Sequence, residues 1–131
     1  MTKSKPTPCR KLTEVELELM TILWRMGEGT VNEVIKELQP GRELAYSSVS
    51  TILRILEGKG VLATRREGRG HVYIPQFGKQ EYETRTIADV VERVFDGAPV
   101  ALVRQVIQNV DLSTEDIREI RKMLKSIEGK R

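Results

Sequence analysis

The sequence predicts a mainly α-helical chain with one small β-hairpin: three short helices, then the hairpin, then further helices. Three observations carry that expectation. Apolar residues recur every three or four positions along most of the chain, the period of an amphipathic helix. Several of those stretches open on a Thr or Ser followed three residues later by an acid, the spacing of a capping box. Between residues 61 and 75 the pattern gives way to two β-prone segments around the glycine-bearing turn "EGRG".

Taken in order, residues 1–11 ("MTKSKPTPCRK") combine prolines, hydroxyls and basic groups with almost nothing to bury, and read as a flexible basic arm. "LTEVELELMTILWRMG" follows, with Thr13 and Glu16 as the box and Leu12 and Leu17 at the two positions of a hydrophobic staple. Leu19, Met20, Leu23 and Trp24 form its inner face, and Gly27 stops it. "TVNEVIKELQPG" repeats the device with Thr30 and Glu33. Its stripe is Val31, Val34, Ile35 and Leu38, and Pro40-Gly41 marks its end.

The third helix, "YSSVSTILRILEGKG" (46–60), buries Val49, Ile52, Leu53 and Leu56. Its other side carries Ser47, Thr51, Arg54 and Gly58, with Ser48 and Ser50 near the start. Val61 to Arg66 and His71 to Ile74 read as strands, with Arg65, Arg66 and Arg69 close to the turn and Pro75 closing the hairpin. A helix from Gln80 to Phe95 offers Ile87, Val90, Val91, Val94 and Phe95, and a shorter one near 99–109 offers Leu102, Val103, Val106 and Ile107. The last opens on Ser113 and Asp116, with Leu112 and Ile117 as a staple, and Ile117, Ile120, Leu124 and Ile127 form a seam.

Three short helices followed by a two-stranded hairpin is the order of a winged helix-turn-helix. The domain expectation is therefore an arm (1–11), a winged-helix domain (12–77) and a C-terminal helical dimerisation domain (78–131). That last section, at about 50 residues, is near the lower limit for a domain folding alone. Burying one medium-sized apolar side chain contributes roughly 1.5–3 kcal/mol, against a total stability of about 5–15 kcal/mol. Several such faces left wet would matter, and the same segment of a second chain is the economical cover. The expected homodimer interface comprises Ile87, Val91, Val94, Phe95, Leu102, Val106, Ile117, Ile120, Leu124 and Ile127.

Among the 131 residues no apolar run approaches the roughly 20 that a membrane span needs. No secretory signal is read at the N-terminus, and the single cysteine excludes an internal disulfide framework, so a cytoplasmic location is expected. The formal net charge is +3, unevenly spread. Basic groups outnumber acids in the arm and between residues 41 and 80, while residues 12–40 are acidic. Such focusing suits a polyanionic partner.

A surface helix usually fills its wet side with Lys and Glu. Small hydroxyls on the third helix instead let its backbone come close to base edges in a major groove, donating or accepting toward bases and phosphates. Arg54 could span a guanine edge or clamp a phosphate. Ser47 or Ser48 alone could equally be a helix cap, but Thr51 lies too far inside the helix for that. Tyr46 either packs at the turn or touches a phosphate. Arg69 either contacts a phosphate or the minor groove, or belongs to a solvated loop tip. His71, beside Tyr73, reads as structural, Trp24 as core, and Cys9 has no second thiol for a metal.

Two other function classes fit the sequence less well. A winged helix used for protein contact would expose apolar residues on the third helix, and the polar side of that helix argues against it. An enzyme is the poorest reading, since one His, one Cys and no Gly-rich phosphate loop form no nucleophile–base pair or metal cluster. No cofactor or metal is expected.

"LTEVELELMTILW", "TVNEVIKEL", "LAYSSVSTILRILEGKGVL" and "GRGHVYIP", in that order, resemble the penicillinase-repressor family of transcriptional regulators. The likeness is specific from Leu12 to Pro75 and looser to Glu128. It implies a homodimer with one winged helix per subunit and a helical dimerisation domain, binding a palindromic operator in double-stranded DNA to block transcription. Family DNA contacts carried across fall on Ser47, Ser48, Ser50, Thr51 and Arg54, and in the wing near Arg66 and Arg69. Several of these positions hold longer polar or basic side chains in family members, implying a different base preference. Two features do not carry over. In the β-lactam branch a membrane sensor leads to cleavage at an Asn-Phe bond, where this chain has Gln105-Val106. The copper branch binds metal through a C-terminal Cys-x-Cys, where this chain ends "KSIEGKR". The resemblance therefore specifies no upstream sensor or protease.

Overall fold

Helix α1 (Glu14–Met26) begins with its expected box closed. Thr13 Oγ1 accepts from the Glu16 amide at 3.1 Å, and the Glu16 carboxylate accepts from the Thr13 amide at 2.9 Å. Two orphan donors of the first turn are thereby satisfied. Gly27, at φ 95°, ends the helix, its amide donating to the Leu23 carbonyl. The computed structural model describes residues 11–130. The basic arm up to Arg10, Cys9 included, and Arg131 lie outside the described residues. Of the staple pair, Leu12 is buried while Leu17 is exposed. Leu12 is held by its amide, which donates to Tyr82 Oη at 3.2 Å.

Helix α2 (Val31–Lys36) opens on the Thr30–Glu33 box but is shorter than the sequence suggests. The Glu37 and Leu38 amides reach back only three residues, to the Val34 and Ile35 carbonyls at 3.0 and 3.2 Å. This tightening ends the helix ahead of Pro40, and Leu38 packs half-buried on the core from outside it.

Helix α3 (Tyr46–Gly58) contributes Val49, Leu53 and Leu56 to the interior, with Ile52 half-buried. They close against Leu19, Met20 and Leu23 of α1, Val34 of α2 and Leu62 of the hairpin. Strands β1 (Leu62–Glu67) and β2 (Gly70–Pro75) pair antiparallel, Leu62 opposite Pro75 and Glu67 opposite Gly70. The strands thus run into "EGRG" and leave a turn of Gly68 and Arg69. Gly68, at φ 61°, supplies the positive φ that the first position of so tight a turn requires. Gly29 adds a rung from the α1–α2 loop, exchanging backbone bonds of 3.1 and 2.8 Å with Tyr73.

Trp24, expected in the core, is half-buried at its edge. Its indole Nε1 donates to the Phe77 carbonyl at 2.9 Å, and its ring lies 5.7 Å from that of Tyr82. Tyr82 is itself buried, so the expected boundary at residue 77 moves. Contacts divide the chain after Ala88, and the first turns of α4 (Lys79–Arg93) pack with the winged helix.

The second unit holds the end of α4, then α5 (Pro99–Asn109) and α6 (Thr114–Gly129). Helix α4 stops short of Phe95. The Val94 and Phe95 amides both turn to the Val90 carbonyl, and Asp96 takes φ 52°. Val94 and Phe95 therefore lie in the turn beyond the helix. Pro99 sits at the start of α5, where its missing N–H costs nothing. The Ser113–Asp116 box of α6 closes as expected. Among the described residues of this unit none is buried. Among the described residues no helix is long and apolar enough to cross a membrane.

Candidate nucleic-acid interface

At 100° per residue, Ser47, Thr51, Arg54 and Gly58 share an arc of about 60° on the side of α3 away from the core. All four are exposed, as are Tyr46 and Ser48, while Ser50 is half-buried. Ala45 occupies the N-cap, and no side chain caps the helix. The capping alternative for Ser47 and Ser48 is thereby excluded, since both lie inside the first turn with exposed hydroxyls. That turn carries no acid, so the positive end of the helix dipole is not offset within it.

The candidate side chains fall into three rows. Ser47, Thr51 and Arg54 face straight out. Tyr46 and Ser50 turn toward the wing, and the Arg54 guanidinium donates to Ser50 Oγ at 3.3 Å. Tyr46 is 53% exposed, so it does not fill the turn. Ser48 stands on the opposite flank together with Ile55. Ile55 is 47% exposed, which departs from the expectation of a purely polar outer side.

The three wing arginines also separate. Arg65 donates to both Glu28 oxygens, at 3.2 and 2.8 Å, and to Glu67 at 3.0 Å. The Glu28 hydrogen bond, then that of Glu67, raises its pKa beyond the ordinary arginine value, and its charge is matched inside the protein. Arg66 and Arg69 are exposed with no ion-pair partner among the described residues. Sequence alone does not distinguish the three.

A groove of about 600 Å³ lies between α3, the wing and the start of α2. Tyr46, Ser50, Arg54 and Arg69, four of the DNA-contact candidates, line it, and so do Asn32 and His71, which are not among those candidates. His71, expected to be structural, is exposed. The register places it opposite Arg66, so both emerge on one face of the hairpin. Nothing local marks Asn32, which reaches the groove only because α2 abuts α3. An acid also enters: Glu57 accepts from the Thr64 hydroxyl at 3.0 Å, tying α3 to β1. Burial raises the Tyr73 hydroxyl pKa, and the nearby Glu57 charge adds to the rise.

The apolar residues expected at a dimer interface lie on α4, in the turn after it, and on α5 and α6. Ile87, Val94, Ile117, Leu124 and Ile127 are exposed, and Val91, Phe95, Leu102, Val106 and Ile120 are half-buried. Between α5 and α6 an apolar groove of about 510 Å³ is lined by Ile107, Leu112, Ile117, Ile120 and Leu124 among others.

Comparison with known proteins matches residues 12–126 to the family described as Penicillinase repressor. The penicillinase repressor of Bacillus licheniformis is 31% identical over 114 residues, spanning 87% of this chain and 89% of that protein. The methicillin resistance regulatory protein MecI of Mammaliicoccus sciuri is 24% identical over 114 residues, spanning 87% of this chain and 93% of that one. Among solved structures, the DNA binding domain of the repressor BlaI aligns with a TM-score of 0.50 at 34% identity, covering 56% of this chain and 90% of that domain. The sequence matches run through the winged helix and on into the helices that follow it. The chain belongs to the penicillinase repressor family, whose members are DNA-binding transcriptional repressors and not enzymes.

Proposed function

We propose that this chain acts in the cytoplasm as a homodimeric repressor on a palindromic operator. Each subunit lays α3 in the major groove of one half-site and its wing on the flanking backbone or minor groove. The observation that carries the reading is the outer side of α3. Ser47, Thr51 and Arg54 stand exposed, with no acid in the first turn, beside a wing whose Arg66 and Arg69 have no ion-pair partner among the described residues. Hydroxyls and N-terminal amides serve phosphates and base edges, and the arginines supply the charge. Two-fold symmetry would set the half-sites about 10–10.5 bp apart, or a multiple of that.

The dimer is supported by the second unit, where the end of α4, α5 and α6 enclose no buried residue among those described. A second copy supplies the missing cover, with the seam Ile117, Ile120, Leu124 and Ile127 at its centre.

Exposed Ile55 and Tyr46 favour the competing reading, a winged helix that docks on protein. Salt dependence separates the two, because each phosphate contact contributes a log–log slope of about −0.9. The direct test is selection of bound sequences from a random duplex pool. An inverted repeat of regular spacing is the expected result. No enrichment at low salt, from protein shown to be folded and dimeric, overturns the DNA reading.

A further inference from the structure

We propose that Ile55 is a specificity-determining residue, packing its side chain on the 5-methyl group of a thymine in the major groove. The proposal rests on the reading of α3 as the groove-reading helix. Val49, Leu53 and Leu56 of α3 have no exposure and Ile52 is half-buried, whereas Ile55 stays 47% exposed. It follows Ser48 by seven residues and Thr51 by four, which puts the three on one row of the helix surface. Ile55 is therefore continuous with the polar face that approaches DNA.

A β-branched residue on a wet helix position is a weaker helix former than Lys, Glu or Leu, so helix stability does not explain it. In the major groove, thymine is the base that presents an apolar group, and aliphatic contact is how it is read. Against cytosine or adenine, Ile55 would instead cover an exocyclic amino donor and leave it without a partner, which disfavours those bases. Arg54, one residue earlier, offers donors and reads acceptors. The two neighbours thus divide the chemistry of adjacent base edges between them.

The test uses the full chain and the operator recovered by selection. Each thymine is replaced singly by deoxyuridine, which removes only the methyl group, and affinities are measured for the wild type and Ile55→Ala. Wild-type binding should weaken about fourfold at one thymine of each half-site, the worth of one buried methyl. Ile55→Ala should lose that sensitivity while keeping its response at every other position. Because Ile55 is exposed, its replacement should leave thermal unfolding unchanged.

Methyl-independent binding by the wild type, or equal sensitivity in Ile55→Ala, overturns the assignment while groove reading by α3 stands. Failure to recover any operator removes the groove reading itself, and this inference with it.

Discussion

Replacing Glu16 with alanine should destabilise the winged-helix unit by about 2–4 kcal/mol, and the structure shows how that figure arises. The Glu16 side chain is 8% exposed and its two oxygens serve different partners. One accepts from the Thr13 amide at 2.9 Å and closes the α1 box; the other accepts from Lys59 Nζ at 2.9 Å, just past α3. Losing a helix cap costs roughly 0.5–2 kcal/mol, and losing a hydrogen bond to a charged group about 1.5–3 kcal/mol. Lys59 is 29% exposed and can rehydrate, which keeps the sum near the lower part of the range for a broken buried pair. In a unit of this size each kcal/mol shifts Tm by about 4–8 °C, so a fall of roughly 8–32 °C is expected.

Glu16→Gln retains an acceptor for the Thr13 amide and loses only the charge, so it should cost less than alanine. The sign with pH follows from the carboxyl. Burial alone would raise its pKa, but the Lys59 and Thr13 hydrogen bonds outweigh burial and hold it below its ordinary 4.5. With the folded value depressed, Glu16 stabilises fully above pH 4.5, and that contribution is lost as pH falls through the folded pKa. The gap between wild type and Glu16→Gln should therefore close on acidification below pH 4.5. Trp24, the one tryptophan, lies in this unit and reports its unfolding by fluorescence. Two variants within about 0.5 kcal/mol of wild type at neutral pH, or a gap unchanged at low pH, would refute the argument.

Further expectations concern the proposed function. Arg54→Ala should cost about 1–3 kcal/mol on the selected operator and relax preference at a single base position, measured by competition with point variants; a uniform loss on all sequences would make Arg54 a phosphate contact. Arg66→Ala and Arg69→Ala should each flatten the salt slope by about 0.9. Arg65→Ala should leave the slope unchanged, because Glu28 and Glu67 already take its charge. Leu124→Asp should turn the dimer into a monomer by analytical ultracentrifugation and weaken binding to the full operator while sparing the half-site. Persistence of the dimer would move the interface away from the α6 seam.

Much of this architecture was legible because its causes are local. Thr13, Thr30 and Ser113 each close a box with the acid three residues on, since one helical turn brings them within reach. The inner stripes of α1 and α3, and a hairpin built on "EGRG", likewise depend on periods and turn chemistry that a few neighbouring residues set. Local rules decided less at two other places. Serines at the start of α3 have the composition of caps, yet the chain enters the helix at Ala45 and leaves their hydroxyls outside. Tyr82 follows the winged-helix pattern in sequence but packs into its core, which carries the first unit past residue 77.

The sequence by itself determined which segments become helix and hairpin, and that α3 would carry Ser47, Thr51 and Arg54 on its outer side. Only the tertiary structure decided which charges and which apolar groups remain available to a partner. Arg65 is matched by Glu28, which the α1–α2 loop brings beside β1, while Arg66 and Arg69 are left without such a partner among the described residues. His71 and Asn32 join the groove because the hairpin register and the packing of α2 put them there, and Ile55 stays wet because the core closes on Leu53 and Leu56 instead. Backbone hydrogen bonding and apolar period act within about four residues of the chain. Charge pairing and burial depend on groups that only folding brings together.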